Sequence, residues 1–282
     1  MELEYEDLRD GAWRLRVLRG RWNERLRGEV AGALSAAGAV GRHPATVRLR
    51  LAEVGDCFLK IFGRESALKS VFRVSKALRA LDQGAALAQK GLNAPVAVAA
   101  GEERRFGAVR RAFLLTRAVP GETLPAFLLR RHGEPADRAW ILEKRKLIRE
   151  LAAEVRKLHD LGFVHGDLVA ANVMIARADG VWRFYFIDND RTRRYPRRLP
   201  QSLWKRNLVQ LNRLVLPGIS LQDRLRFFRA YVGREALGGG DLRLLRWLEA
   251  KTRKRRRDCD HVSPEGSFRT LMKWSGRVAG GS

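Results

Sequence analysis

The most informative segment of the chain reads Val164-His165-Gly166-Asp167-Leu168-Val169-Ala170-Ala171-Asn172-Val173-Met174-Ile175, and Phe184-Tyr185-Phe186-Ile187-Asp188 follows it. Phosphoryl transfer requires a carboxylate beside the attacking hydroxyl and oxygen ligands that fix Mg²⁺ against the nucleotide phosphates. Asp167 stands where a kinase catalytic loop places the residue that accepts the acceptor's proton. Asn172 stands where that loop binds a metal ion. The segment therefore predicts a phosphotransferase site, with Asp188 as the second metal ligand.

Two apolar runs next to this segment favour a β-hairpin. Val173 to Ile175 and Trp182 to Ile187 alternate in polarity and are joined by a turn that contains Asp179-Gly180. Because a hairpin brings its ends together, Asn172 and Asp188 are predicted to reach the same metal ions. An aspartate after a strand is often only a turn former, and His-Gly-Asp alone is a weak match. The complete set of Asp, Asn, hairpin and Asp favours the catalytic interpretation.

Length and composition are those of one globular enzyme of two lobes. The chain has 282 residues, 45% of them hydrophobic, which is enough for a sizeable core. No apolar stretch approaches the roughly 20 residues that cross a bilayer, and the first ten residues are acidic, unlike a secretion signal. We therefore expect a cytoplasmic protein. With two cysteines, Cys57 and Cys259, the chain has too few to form a disulfide framework.

Positive charge is the second strong signal. The chain has 56 Lys and Arg against 31 Asp and Glu, a formal net charge of +25 and a pI near 11.3. Such a field attracts polyanions, and it is concentrated between Arg191 and Arg198 and from Lys251 to Arg257. Nucleic acid, anionic lipid and a phosphorylated glycolipid are the candidate partners. The alternative for the Lys251 to Arg257 run is a solvated helix face without a partner.

The N-terminal half contains a candidate nucleotide-binding lysine. Val47 to Leu51, a Gly55-Asp56 turn and Cys57 to Phe62 predict a hairpin with Lys60 inside its second strand. Kinases hold the nucleotide phosphates with a lysine on a small-lobe strand, so Lys60 is predicted to contact the α- and β-phosphates. The alternative is an edge-strand lysine that points to water.

A helix is predicted from Ser66 to Lys90, with Gly91 as its C-terminal stop. In kinases an acid on this helix pairs with the strand lysine. The available acids are Glu65 and Asp82, and neither has the expected spacing, so the sequence leaves the partner of Lys60 open.

The sequence has no complete glycine-rich loop. The nearest match is Gly38-Ala39-Val40-Gly41, in which Gly38 and Gly41 would bring backbone amides to the phosphates or would mark a plain loop. Val96 to Ala100 and Ala108 to Thr116 predict two further strands. Thr116 to Thr123, with Pro120-Gly121, predicts a hinge between lobes, where adenine would bind through backbone groups.

Together these motifs resemble those of the lipopolysaccharide core kinases, which phosphorylate Kdo or heptose in the inner core of bacterial lipopolysaccharide. The matching motifs run through most of the chain: Phe58-Leu59-Lys60, Gly91-Leu92-Asn93-Ala94-Pro95, His165-Gly166-Asp167 with Asn172, Ile187-Asp188-Asn189-Asp190-Arg191, Arg206-Asn207-Leu208 and Asp223-Arg224-Leu225-Arg226-Phe227-Phe228. The motif Ile187-Asp188-Asn189-Asp190-Arg191 best separates this family from protein kinases, because protein kinases have Phe-Gly after the metal-binding aspartate.

The resemblance implies an α+β, two-lobed protein-kinase-like fold, with an N-lobe over residues 1–118 and a C-lobe over 119–282. It implies ATP and Mg²⁺ as cofactors, Asp167 as the base, Asn172 and Asp188 as metal ligands, and Lys60 as the residue that orients ATP. Asp190 would either assist or form a structural salt bridge.

The resemblance also implies an anionic glycolipid acceptor and an enzyme peripheral on the inner face of the bacterial inner membrane, with no nucleic acid partner. We expect the basic run from Arg191 to Arg198 to lie near the acceptor. Two alternatives stay open: a small-molecule, aminoglycoside-type phosphotransferase or atypical protein kinase with the same site, and an inactive kinase-like module that binds nucleic acid or membrane. Oligomeric state is not indicated.

Overall fold

The computed structural model describes residues 3–38, 45–63, 71, 73–132, 134, 137–195, 199–216 and 218–262. The chain divides into two compact units, one of Met1–Val119 with Phe186–Thr192 and the other of Pro120–Tyr185 with Arg193–Ser282. The first division falls inside the segment predicted to be a hinge. The short segment Phe186–Thr192, which contains Asp188, joins the first unit although it follows Asp167 and Asn172 in sequence.

The first unit contains a six-stranded antiparallel sheet in the order β1-β2-β5-β6-β4-β3. Its strands are β1 (Tyr5–Asp10), β2 (Trp13–Leu18), β3 (Ala45–Leu51), β4 (Gly55–Phe62), β5 (Ala97–Arg105) and β6 (Ala108–Arg117). The predicted pairing of β3 with β4 is confirmed, as are the two strands β5 and β6. The hairpin of β1 and β2 adds a third pair that the motifs do not indicate.

Two helices, α1 (Glu24–Gly38) and α2 (Lys76–Gln89), belong to separate apolar clusters of this unit. The α1 cluster contains Cys57 and Leu59 of β4, whereas the α2 cluster contains Phe62. Since side chains alternate along a strand, Lys60 shares the face of β4 that carries Phe62. The strand therefore places the candidate lysine on the α2 side of the sheet.

The helix predicted from Ser66 begins later, at Lys76. Ser75 caps it, because the Ser75 side chain accepts a hydrogen bond from the Leu78 backbone N–H at 3.4 Å. Residues 64–70 and 72 lie outside the described part of the chain. Gly38 is the last residue of α1 rather than part of a loop, and Gly41 lies outside the described residues.

The second unit is mostly helical. Its helices are α3 (Leu124–His132), α4 (Arg138–Asp160), α5 (Gln201–Asn212), α6 (Leu221–Val232) and α7 (Gly239–Val262). Its strands are β7 (Glu122–Thr123), β8 (Phe163–Val164), β9 (Val173–Ala178), β10 (Val181–Phe186) and β11 (Arg193–Arg194), arranged as a β10-β9-β7 sheet and a β11-β8 pair. The predicted hairpin of β9 and β10 is confirmed. In the described ranges, no helix combines the length and the apolar character needed to cross a membrane.

Candidate active site

The candidate catalytic loop, residues 165–172, lies in the second unit between β8 and β9 and is called the catalytic loop below. Gly166 has a φ of 78°, a left-handed conformation that favours glycine and turns the chain into Asp167. The backbone carbonyl of Asp167 accepts hydrogen bonds from the Val169 N–H at 2.8 Å and from Nδ2 of Asn172 at 2.9 Å. The two predicted residues Asp167 and Asn172 therefore form one local structure. Because Asn172 donates through Nδ2, Oδ1 is the atom with which it can bind a cation.

Gln210 on α5 holds this loop from the other side. Its Oε1 accepts from the Leu168 N–H at 3.1 Å, and its Nε2 donates to the Gly166 carbonyl at 3.2 Å. The same Nε2 lies 3.3 Å from Oδ1 of Asp167, so one side chain contacts both the backbone of the loop and the candidate base. Sequence reasoning did not identify Gln210.

Asn207 supports the same arrangement one helical turn earlier on α5. Its Nδ2 donates to Oε1 of Gln210 at 3.0 Å, and its Oδ1 accepts from the His165 N–H at 3.1 Å and from Nε2 of His159 at 3.2 Å. Because an amide oxygen only accepts, Nε2 of His159 carries the ring proton and Nδ1 accepts from the Tyr231 hydroxyl at 2.9 Å. Burial lowers the pKa of His159 to about 4, so this imidazole is neutral at neutral pH.

Asp188 lies in the first unit, in a turn that is fixed by its neighbours. Its φ of 64° is left-handed, a conformation that aspartate tolerates better than most residues. Asn189 is buried and donates through Nδ2 to the Phe186 carbonyl at 2.8 Å, while its Oδ1 accepts from the Thr192 hydroxyl at 3.0 Å. The Phe186 N–H donates to the Asn93 carbonyl at 3.0 Å, which gives the Gly91 to Pro95 motif a structural role.

Lys60 forms an ion pair with Asp188. Its Nζ also lies 5.1 Å from the centre of the Phe62 ring on the same face of β4. Asp82 is instead bound to Arg16, whose Nη1 lies 2.6 Å from Oδ1 of Asp82, and Glu65 lies outside the described residues. The partner of Lys60 is therefore the candidate metal ligand itself. Burial raises the pKa of the Asp190 carboxyl, and the charge of Asp188 raises it further.

The basic run after Asp188 begins beside the catalytic loop. In the pairing of β11 with β8, Arg193 lies opposite Val164, which precedes His165 by one residue, and Arg194 lies opposite Phe163. Both arginines are exposed, and the Arg194 guanidinium lies 5.6 Å from the centre of the Phe163 ring. Arg197 and Arg198 lie outside the described residues.

A family model described as "Lipopolysaccharide kinase (Kdo/WaaP) family" matches residues 19–231. The chain belongs to this family. The match spans both units, including the strand of Lys60, the catalytic loop and α5. Membership of a kinase family implies a phosphotransferase that uses ATP and takes part in lipopolysaccharide biosynthesis.

Two solved structures were compared with this chain for fold. A structure of WaaP in complex with acyl carrier protein matches with a TM-score of 0.57 and 24% identity, over 82% of this chain and 97% of that one. The match to WaaP shows that this chain has a protein-kinase-like fold, as predicted. The PknI kinase domain of Mycobacterium tuberculosis, a double mutant, matches at 13% identity over 70% of this chain and 71% of its own, with a TM-score of 0.37. No curated protein matches.

Proposed function

We propose that this Kdo/WaaP family member is an ATP-dependent kinase that phosphorylates a Kdo or heptose sugar of the lipopolysaccharide inner core. The observation that carries the proposal is the catalytic loop, in which Asp167 and Asn172 are joined by a hydrogen bond of 2.9 Å and are held by α5. The contact between Nε2 of Gln210 and Oδ1 of Asp167 supports Asp167 as the catalytic base.

Each candidate residue has a distinct role. Asp167 accepts the proton of the sugar hydroxyl, which makes that oxygen a better nucleophile. Oδ1 of Asn172 and the carboxylate of Asp188 are hard oxygen donors, the ligand type that Mg²⁺ prefers, so the residues present fit this ion. Bound Mg²⁺ would neutralise charge on the nucleotide phosphates. We propose that Lys60 adds a positive charge at the α- and β-phosphates, and its ion pair with the candidate metal ligand Asp188 supports this role.

Labelled γ-phosphate tests the acceptor class. We would offer Mg-ATP with Kdo-lipid A, heptosylated core, an aminoglycoside and a basic protein. Label on a core glycolipid alone supports the proposal and identifies the sugar. Label on the aminoglycoside or the protein alone would instead indicate the alternative phosphotransferase, and label on no acceptor would indicate an inactive binding module.

Gln210 gives a test of the loop geometry. Gln210→Glu keeps the side-chain size and the oxygen that accepts from Leu168, but it removes the donor to Asp167. We expect kcat to fall by about 10-fold to 100-fold and the KM for ATP to change less than twofold, because a small displacement of a catalytic group has effects of this order. Steady-state kinetics and thermal unfolding measure both consequences.

Gln201→Glu is the matched control, because Gln201 is the exposed first residue of the same helix. It should keep wild-type kcat. Wild-type kcat in Gln210→Glu, or equal losses in the two variants, would contradict the positioning role.

Arg193 and Arg194 are proposed to attract the anionic acceptor, because β11 fixes them beside the strand that leads into the catalytic loop. Changing both to Gln should raise the acceptor KM about 30-fold, since each of the two cations near an anionic surface contributes roughly 1 kcal/mol. The KM for ATP should stay near wild type in the same assay. Arg183→Gln, at an exposed arginine on β10, is the control. Equal changes in both KM values would argue against acceptor contact.

We further propose that the enzyme works as a peripheral protein on the inner face of the inner membrane, where its glycolipid acceptor is available. The net charge of +25 favours attraction to anionic lipid. This location follows from the proposed acceptor and from charge, and no nucleic acid partner is needed to explain either.

An acyl carrier protein is a proposed second partner, because the matching WaaP structure is a complex with one. The second unit has a cavity of about 470 Å³ with a mostly apolar lining, within the size range of ligand pockets. Its walls include Leu147, Leu151, Leu208, Leu211, Phe228 and Leu248. An acyl chain could bury its methylene groups there.

Calorimetric titration with an acylated carrier protein and with its unacylated form tests this partner. We expect the acylated form to bind at least tenfold more tightly, because only it presents apolar surface to the cavity. Equal affinities would show that the cavity is not used.

A further inference from the structure

One side of α7 carries a tryptophan between basic residues. The buried side of the helix includes Leu248, Thr252 and Arg256. Residues four apart share a helix face, and Arg243, Trp247, Lys251 and Arg255 form an exposed series beside the buried one, about 100° around the helix from it. This exposed edge of the helix combines cations with a large indole ring.

Helix α5 extends this exposed edge. Nζ of Lys205 lies 5.7 Å from the centre of the Trp204 ring and 5.3 Å from that of Trp247, and Nζ of Lys251 lies 5.9 Å from the Trp247 ring. Trp247 is nevertheless 38% exposed. Two ammonium groups thus flank an indole that still reaches solvent, which is a cation–π arrangement at the protein surface.

We infer that this surface, defined by Lys205, Arg243, Trp247, Lys251 and Arg255, docks the enzyme on an anionic lipid bilayer. Indole rings favour the headgroup level of a membrane, where an apolar body meets a polar edge, and the flanking cations match the lipid phosphates. A nucleic-acid surface would need open aromatic faces for base stacking. Here Lys205 and Lys251 lie over the Trp247 ring, where a base would stack.

This surface gives the Lys251 to Arg257 run a use beyond a solvated helix face. The inference names the surface through which the proposed membrane location is reached. It rests on the proposed function only in that the glycolipid acceptor gives the enzyme a reason to bind a membrane. Binding to vesicles is measured without phosphoryl transfer. A protein that binds vesicles but transfers no phosphate would therefore refute the proposed function and leave the docking surface standing.

Co-sedimentation of the full-length protein with vesicles tests the inference. One set contains phosphatidylglycerol and phosphatidylethanolamine, and the other contains phosphatidylcholine alone. We expect binding to the first set only, weakened at least fivefold by Lys251→Glu and by Trp247→Ala. Arg138→Glu makes the same change of charge as Lys251→Glu at the exposed start of α4 and should weaken binding less than twofold.

Thermal unfolding checks that the variants fold. Absence of binding to the anionic vesicles would overturn the inference. Weakening by Arg138→Glu equal to that by Lys251→Glu would also overturn it, because the effect would then reflect net charge alone. A parallel titration with single-stranded RNA separates the other class of partner. If Lys251→Glu and Trp247→Ala weaken RNA binding and leave vesicle binding unchanged, the surface binds nucleic acid instead.

Discussion

Asp167→Asn is expected to lower kcat by about 10² to 10⁴, with nucleotide affinity close to that of the wild type. An amide has nearly the size of the carboxylate but cannot take the proton of the attacking hydroxyl. The contacts that shape the loop should persist, because Asn172 and Val169 donate to the backbone carbonyl of residue 167 rather than to its side chain. Steady-state turnover and nucleotide titration separate the two effects.

Asp179→Asn is the matched control for this substitution. Asp179 is exposed in the turn between β9 and β10, at a φ of 52° that asparagine also tolerates. We expect wild-type kcat. Unchanged turnover in Asp167→Asn would remove Asp167 from its role as the base.

Asp188→Ala should abolish Mg²⁺-dependent nucleotide binding and, with it, turnover. The substitution removes an oxygen ligand for the ion and leaves Lys60 without the carboxylate that holds it. Calorimetric titration of nucleotide with and without Mg²⁺ measures the loss. Retention of the Mg²⁺-dependent increase in affinity would contradict the assignment.

Backbone strain must be separated from the lost ligand in this experiment. Alanine at the left-handed φ of Asp188 carries a conformational penalty of roughly 1 kcal/mol. Asp179→Ala introduces alanine at a similarly positive φ in the turn of the β9–β10 hairpin, whereas Asn172 and Asp188 flank the opposite end of that hairpin. It should lose a similar amount of stability and bind nucleotide normally.

Elements with a strong local signal were predictable. Alternating polarity and an Asp179-Gly180 turn predicted β9 and β10, and the same reasoning predicted β3 and β4 with Lys60 in the second strand. The catalytic loop was recognisable because Asp167 and Asn172 carry their chemistry at a short, fixed spacing.

Long-range pairings were not predictable, because they depend on how distant segments pack. The sequence offers Glu65 and Asp82 as partners for Lys60, yet Lys60 pairs with Asp188, 128 residues away. The start of α2 was also not predicted, because the apolar residues Leu68 and Phe72 continue the helical spacing on the N-terminal side of Ser75, whereas Ser75 caps a helix that begins at Lys76.

One sequence pattern points to the role of Gln210. Asn207 and Gln210 are amides three residues apart in a helix whose neighbouring positions, Leu208, Val209 and Leu211, are apolar and buried. Polar side chains on a buried face need hydrogen-bond partners, and a catalytic loop has backbone groups to satisfy. The pattern indicates that the helix supports another segment, but only the fold shows that the segment is the loop of Asp167.

The central claim is that this chain couples ATP consumption to phosphorylation of a core sugar through Asp167, Asn172 and Asp188. The most direct measurement follows ATP consumed and phosphate gained by the core glycolipid in the same reaction, with wild type and Asp188→Ala side by side. We predict one phosphate on the sugar for each ATP consumed, only with Mg²⁺ and only in the wild type. ATP consumption without phosphate on the glycolipid, or equal transfer by Asp188→Ala, would contradict the account.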